Sequence, residues 1–323
     1  MQREGSAFAG LGVVTLKELS DHLTGIRMII MEWIVVLMAV GVVFTGIQQI
    51  REVSAEDPFL FLRLFTRARE GLPSFVAVLS FLVPLVAIGI GFDLVNSERN
   101  QRTLSRILSQ PIYRDALLFG KFLGGIITIT IMLLALWLMV IGLGILTLGL
   151  PPGPEEVARA LTMLGVTIVY AGVWLGLALL FSILFRSAAT AALAALGLWL
   201  FLTMLWPLLS PYAAALFVSD RVATPDDLLK HLGILQAFAR ISPADMYAEI
   251  VGALLDPTVR STQQPLLASL GLVLVQPGSV PGAPLPFLQS LLVVWPEIVG
   301  MIAGAIVLFV IGYVTFQRQE VRA

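Results

Sequence analysis

An all-α integral membrane protein with six crossings is the fold this sequence predicts, on three observations. The chain is 58% hydrophobic and only 13% charged, with a mean hydropathy of +0.94, which is more apolar surface than a water-soluble core can hide. The apolar residues gather into six runs close to the ~20 residues a spanning helix needs. Most charged residues fall between those runs.

The elements follow in order. Residues 12–27 place Val13, Leu16, Leu19, Leu23 and Ile26 on one helical face and Lys17, Glu18, Asp21 and His22 on the other, the pattern of an N-terminal amphipathic interfacial helix. The predicted spans are Met28–Ile47, Leu72–Leu94, Phe122–Leu148, Leu161–Phe185, Ala188–Leu209 and Leu291–Thr315. A short loop of mixed charge follows the first span, and "LPPGPEE" turns the chain between the third and fourth. Only "RSAA" separates the fourth from the fifth, a tight hairpin with Arg186 at its tip. The interval 213–289 is too long for a turn and reads as an outer helical cap between spans five and six. Thr224 before Pro225, with Asp226 and Asp227, and Ser242 before Pro243, with Asp245, are two helix starts of matching form. The helices they open are too short to span. The whole of 1–323 is one transmembrane domain.

Orientation follows from cations near span ends. With the N-terminus inside, the inner segments hold eleven Lys and Arg and the outer ones nine, and residues 96–121 alone hold five of the inner set. Both termini are therefore expected to be cytoplasmic. No cysteine is present, which excludes disulfides and thiolate chemistry. Residues 1–11 lack the basic and apolar regions of a cleavable signal, so the first span is expected to act as an uncleaved anchor.

Between spans two and three lies the densest charged stretch, "NSERNQRTLSRILSQPIYRDALLFGKFLGG", residues 96–125. At 100° per residue Leu104, Ile107 and Leu108 share one helical face and Arg99, Arg102 and Arg106 the opposite one, until Gln110–Pro111 ends the helix. Taken by itself this is a basic interfacial helix against anionic lipid. The run Asp93, Glu98, Arg99, Thr103, Leu104, Ser109, Pro111, Arg114, Leu117, Gly120, Lys121 resembles the motif of ABC-2 type export permeases, the membrane subunits of ATP-binding-cassette transporters. "TLKEL" before the first span and "ISPADMYAEIVGALLDP" before the last resemble further family segments, so the likeness covers nearly the whole chain. Two positions depart from the family pattern: Arg102 stands where a glycine is usual, and Tyr113 where a small residue is.

The resemblance implies that residues 99–111 are a coupling helix docking on an ATPase subunit, with Glu98, Arg99, Arg102, Thr103, Leu104, Arg106, Ile107, Leu108, Pro111 and Arg114 as the coupling residues. The apolar face would fill a groove on the partner, and the arginines would steer or rim the contact. The chain is then the permease subunit of an exporter in the plasma membrane of a prokaryote, working as a homodimer with two copies of a separate ATPase. It would bind no cofactor itself, ATP and Mg residing on the partner, and contact lipid but no nucleic acid. The cap would gate the exit or receive an outer accessory protein. One subgroup of the family serves nitrous-oxide-reductase maturation, and short soluble termini are compatible with it.

Catalytic motifs are missing from the sequence. "FGKF" lacks the flanking residues of a nucleotide loop, the two histidines are expected on opposite sides of the membrane, and neither a His-Glu-x-x-His nor a Gly-x-Ser-x-Gly motif occurs. Glu32, Asp93 and Glu297 lie within or beside spans, where a carboxylate costs several kcal/mol unless it faces protein or water; they are candidates for pathway lining or for local structural roles. Trp33, Trp137, Trp174, Met204 and Trp206 read as packing and interface anchors. The competing class is a channel or secondary transporter without an ATPase, for which internal repeats with paired broken helices are expected. The unequal intervals between spans show no such repeat.

Overall fold

The computed structural model describes residues 10–50, 59, 61–66, 73–100, 113–149, 151–217, 225–261 and 284–319, and all regular structure among them is helical. α1 (Leu11–Thr24) and α2 (Ile26–Ile50) open the chain, with α1 started by Gly10 at φ 90°, a left-handed conformation that suits glycine. Gly25 between them is extended, and the two axes break by 62°. α3 (Arg63–Thr66) is a single turn. α4 (Phe75–Gly91) starts at Ser74, whose hydroxyl accepts a hydrogen bond from the Ala77 amide at 3.2 Å. A turn leads into the short α5 (Asn96–Asn100).

α6 (Arg114–Leu148) and α7 (Pro154–Leu184) form the long central hairpin. Gly149, at φ 73°, stops α6. Pro154 then occupies the first turn of α7, where its missing amide removes no bond, and Glu156 reaches back to accept from the Gly153 amide at 2.8 Å. α8 (Ala188–Leu200) continues through a widened π turn at Phe201–Leu205 into α9 (Trp206–Ala215). α10 (Pro225–Ala239), α11 (Pro243–Leu255) and α12 (Phe287–Arg318) complete the order. The start at Ser242–Pro243 is as expected, with the Ser242 hydroxyl accepting from the Asp245 amide at 3.3 Å.

Five helices, within Phe75–Asn100, Arg114–Thr147, Pro154–Leu184, Ala188–Ala215 and Phe287–Arg318, are long and apolar enough to cross a membrane, and the bent pair of α1 and α2 raises the number to as many as six. α7 is the centre of the molecule: it packs against α4, α6, α8, α11 and α12. Trp174, Tyr170, Leu175 and Ala178 on it are fully enclosed. By contrast α2, α9 and α12 turn Trp33, Leu208, Tyr212, Leu292 and Ile306 outward, the exposure expected of helices that meet lipid. Lipid tails are as apolar as leucine, so helix association in a membrane draws on close packing and buried polar contacts more than on the hydrophobic effect. Two such polar clusters mark the two ends of α7.

Candidate functional site at the roots of the charged segment

Arg102, Thr103, Leu104, Arg106, Ile107, Leu108 and Pro111 lie outside the described residues. The described chain ends at Asn100 on one side of them and resumes at Tyr113 on the other. Both roots are held by a collar of polar side chains drawn from α1, α6, α7 and α12.

The first root is anchored from three directions. Ser182, fully buried near the end of α7, accepts hydrogen bonds from the Val95 and Asn96 amides at 3.0 and 3.2 Å, supplying the start of α5 with an acceptor for two otherwise orphaned donors. Glu98, 7% exposed, pairs with Lys121 of α6 at 2.7 Å. Lys121, only 2% exposed, also pairs with Glu18 of α1 at 2.9 Å. Arg99 Nη2 donates to Gln319 Oε1 at 2.5 Å. At the second root Arg114 Nη1 donates to the Gln319 carbonyl at 3.2 Å. Asp115 Oδ1 accepts from the Tyr313 hydroxyl at 3.0 Å and from Gln317 Nε2, both on α12.

The charge balance explains the composition of the collar. Two buried carboxylates share one buried ammonium, leaving one negative charge, and half-exposed Lys17 supplies the second cation at 2.9 Å from Glu18 and 3.9 Å from Glu98. Burial pushes the Glu18 carboxyl up, but Lys121 and Lys17 outweigh it and hold it below the ordinary carboxylate value. Burial likewise lowers Lys17, and Glu18 and Asp21 reverse the sign. His22 sits beside this group with its pKa lowered by burial, against the opposing pull of Glu18, so the imidazole is neutral at neutral pH. Arg99 is lowered by burial and by the like charge of Arg186.

α1 reaches the collar because α6 lets it approach. A Cβ on Gly120 would stand 2.6 Å from Val14 Cγ1, and one on Gly124 2.7 Å from Glu18 Cβ. The spacing of small residues four apart therefore creates the trough in which Glu18 meets Lys121. Val14 and Glu18 of α1 face protein, while Lys17 and Asp21 and the apolar Val13, Leu16 and Leu23 are exposed.

The three intramembrane acids are dispersed. Glu32 is exposed on α2, and Asp93 lies in the turn before α5, near enough to His22 to raise its pKa. Glu297 is not at the entrance of its helix but ten residues inside α12, 3% exposed and paired with Arg240.

That pair belongs to the second cluster, at the opposite end of α7. Arg159, with no exposed surface, donates from Nη1 to the Leu254 carbonyl at 2.7 Å and the Ser290 hydroxyl at 3.1 Å, and from Nη2 to the Leu285 carbonyl at 2.6 Å and Glu155 at 2.9 Å. It joins α7 to the end of α11 and the start of α12. Arg240 bridges Glu249 of α11, at 3.0 Å, and Glu297. Tyr247 stacks on Tyr170 with centroids 4.5 Å apart and meets the Thr167 hydroxyl at 3.0 Å. Trp206 Nε1 donates to the Phe238 carbonyl at 2.8 Å. α10 and α11 are thus tied into the transmembrane body.

Sequence reasoning assigned no role to Glu18, Ser182, Gln319 or Arg159. A signal existed for two of them: Arg159 follows Glu155 by one helical turn just before the fourth apolar run, and Ser182 interrupts that run. Nothing in this collar pairs a nucleophile with a base; its chemistry is the fixing of two chain positions against three long helices.

A family model described as ABC-2 family transporter protein matches residues 13–321. Among curated proteins the chain is similar to the "Probable ABC transporter permease protein NosY" of Pseudomonas aeruginosa, 27% identical over 240 residues, covering 72% of this chain and 78% of that one. It is also similar to the protein of the same name from Stutzerimonas stutzeri, 25% identical over 235 residues with the same shares covered.

Proposed function

This chain belongs to the ABC-2 transporter family, and on that premise we propose that it is the permease subunit of an exporter whose ATP is hydrolysed by a separate partner. Residues 99–111 dock on that ATPase. Two permease copies, equal in sequence, work with two ATPase subunits in the plasma membrane of a prokaryote, and both termini face the cytoplasm with the six-span layout. ATP and Mg stay on the partner, so this chain carries motion rather than chemistry. The cap made by α10 and α11 covers the outer side.

The observation that supports the reading most is the collar. A surface loop needs no such fixing, yet Asn96 is bonded to α7, Glu98 to α6, and Arg99, Arg114 and Asp115 to α12 or its end. A push on the segment between them is passed to α6, α7 and α12 without slack. The buried pairing of Glu98 with Lys121 also gives two family-motif residues an internal task, which leaves Leu104, Ile107 and Leu108 for the partner.

The test separates the apolar face from the basic one. A fully buried leucine contributes about 1.5–3 kcal/mol, an exposed ion pair about 0–1. Leu108→Asp is expected to abolish co-purification of the co-expressed ATPase and the stimulation of its ATP hydrolysis, because the new carboxylate would be desolvated without a partner. Arg106→Ala is expected to change mainly the rate of association and its salt dependence. Full ATPase binding by a folded Leu108→Asp variant would overturn the docking assignment.

A further inference from the structure

We propose that Gln319, at the end of α12, is the positioning residue that makes the last transmembrane helix follow the charged segment. The inference rests on the coupling role proposed above and names the link inside this chain.

Gln319 is where three elements converge. Its Oε1 accepts from Arg99, eight or more turns of α12 away from the cap and on the first root of the segment, while its main-chain carbonyl accepts from Arg114 on the second root. Its Nε2 donates to the Ile183 carbonyl at 2.9 Å, in the last turn of α7, where that carbonyl has no helical partner of its own. One amide side chain therefore uses its acceptor for the segment and its donor for the central helix. Glutamine suits this because it offers both groups and carries no charge beside Arg99, Arg114 and Arg186. A carboxylate would satisfy the arginines and lose the donor; an apolar side chain would lose both.

The first root is also tied to α6 and α1 through Lys121 and to α7 through Ser182, so it does not need Gln319 to stay in place. Among the described residues, the direct bonds from the roots to α12 are those of Gln319 and the adjoining pair of Tyr313 and Gln317 to Asp115. Helices joined only by lipid-like packing slide past one another, whereas charge-assisted hydrogen bonds at fixed positions do not. Motion of the roots then reaches α12 through a contiguous set of bonds.

Because the chain has no cysteine, a pair of introduced thiols can be spin-labelled cleanly at Leu208 of α9 and Leu292 of α12, both exposed. The distance between them is measured in the permease–ATPase complex, without nucleotide and with ATP trapped by vanadate. The unsubstituted bracket is expected to give a clear nucleotide-dependent shift. Gln319→Met, which keeps the main-chain contact to Arg114 and the Asp115 pair, should lose a clear part of that shift while ATPase binding and thermal stability stay near the parent values. Gln319→Glu, which keeps the Arg99 contact and lacks only the donor to Ile183, should retain more of it. A full shift in Gln319→Met, or the reverse order of the two variants, overturns the bracket. A parent complex that binds ATPase and shows no shift overturns the coupling reading itself, which separates the two failures.

Discussion

Replacing Lys121 with methionine should release α1 from the body of the protein. The substitution keeps the length of the side chain and removes the charge, leaving Glu18 and Glu98, with side chains 6% and 10% exposed, facing each other. Breaking a buried ion pair by removing one partner costs about 3–5 kcal/mol, since the other charge stays desolvated. Lys17 remains within 2.9 Å of Glu18 and 3.9 Å of Glu98 and offsets part of this, so a value near the lower limit, about 3 kcal/mol, is expected. The reporter is a single cysteine at Val14, 5% exposed in the trough over Gly120. If labelling by a maleimide requires α1 to lift, about 3 kcal/mol is roughly a 150-fold faster reaction at a tenfold change per 1.4 kcal/mol. Adding Glu18→Gln and Glu98→Gln to Lys121→Met should restore most of the protection, because the unpaired charges vanish with their partner. Lys17→Ala, at a half-exposed position, should change the rate by a few-fold at most. Equal labelling of Lys121→Met and its parent, or no recovery in the triple variant, would refute the idea that this triad holds α1.

Two further outcomes concern the other end of the molecule. Arg159→Lys should loosen the cap almost as much as Arg159→Met, because one ammonium cannot replace a fork reaching the Leu254 and Leu285 carbonyls and the Ser290 hydroxyl; two buried acceptors at about 1–3 kcal/mol each put the loss near 4 kcal/mol, read as faster amide exchange across α11. Asp245 is raised to about 6 by burial and by neighbouring Glu249, against the Ser242 hydrogen bond. Its folded value lies above its unfolded one, so the protonated form favours the folded cap, fully below the unfolded value near 4 and progressively less as pH rises through about 6. Asp245→Asn should flatten that dependence and raise cap stability at pH 7 by about 1 kcal/mol, after allowance for the partial exposure of the carboxyl. A pH profile of α11 exchange that is identical in the two proteins counts against it.

How much of this was legible beforehand depends on what a residue's neighbours are. The long apolar runs, the hairpin at Arg186 and the start of α11 at Ser242–Pro243 follow from local chemistry: hydropathy, a missing proline amide and a hydroxyl cap act within a turn or two. Glu18 shows where that logic stops. Periodicity placed it on one polar face with Lys17 and Asp21, which are exposed, whereas Glu18 is buried beside Val14, because Gly120 and Gly124, about a hundred residues further on, let that side of α1 approach α6. Lys121 stood in the sequence as a motif residue and a cation near a span end, with no sign that it is the hub of the triad. Arg159 was grouped with loop cations for the same reason; only the fold brings Leu254, Leu285 and Ser290 around it. Gln319 carries no periodic or compositional signal at all.

Prolines divide the long helices of this protein into two mechanical kinds. α4, α9 and α12 each contain one in the interior, at Pro84, Pro211 and Pro296, where a main-chain hydrogen bond is missing and bending is easiest. α6 contains none, and α7 has only Pro154 in its first turn. At 1.5 Å per residue α7 is a stiff rod about 46 Å long, clasped by Ser182 at one end and Arg159 at the other. A tilt imposed on one clasp must appear at the other at once, with opposite sense if the pivot lies between them, whatever side chains line the way. The proline-bearing helices around it are the ones that bend, so where the bundle yields is set by where its unbroken helices end.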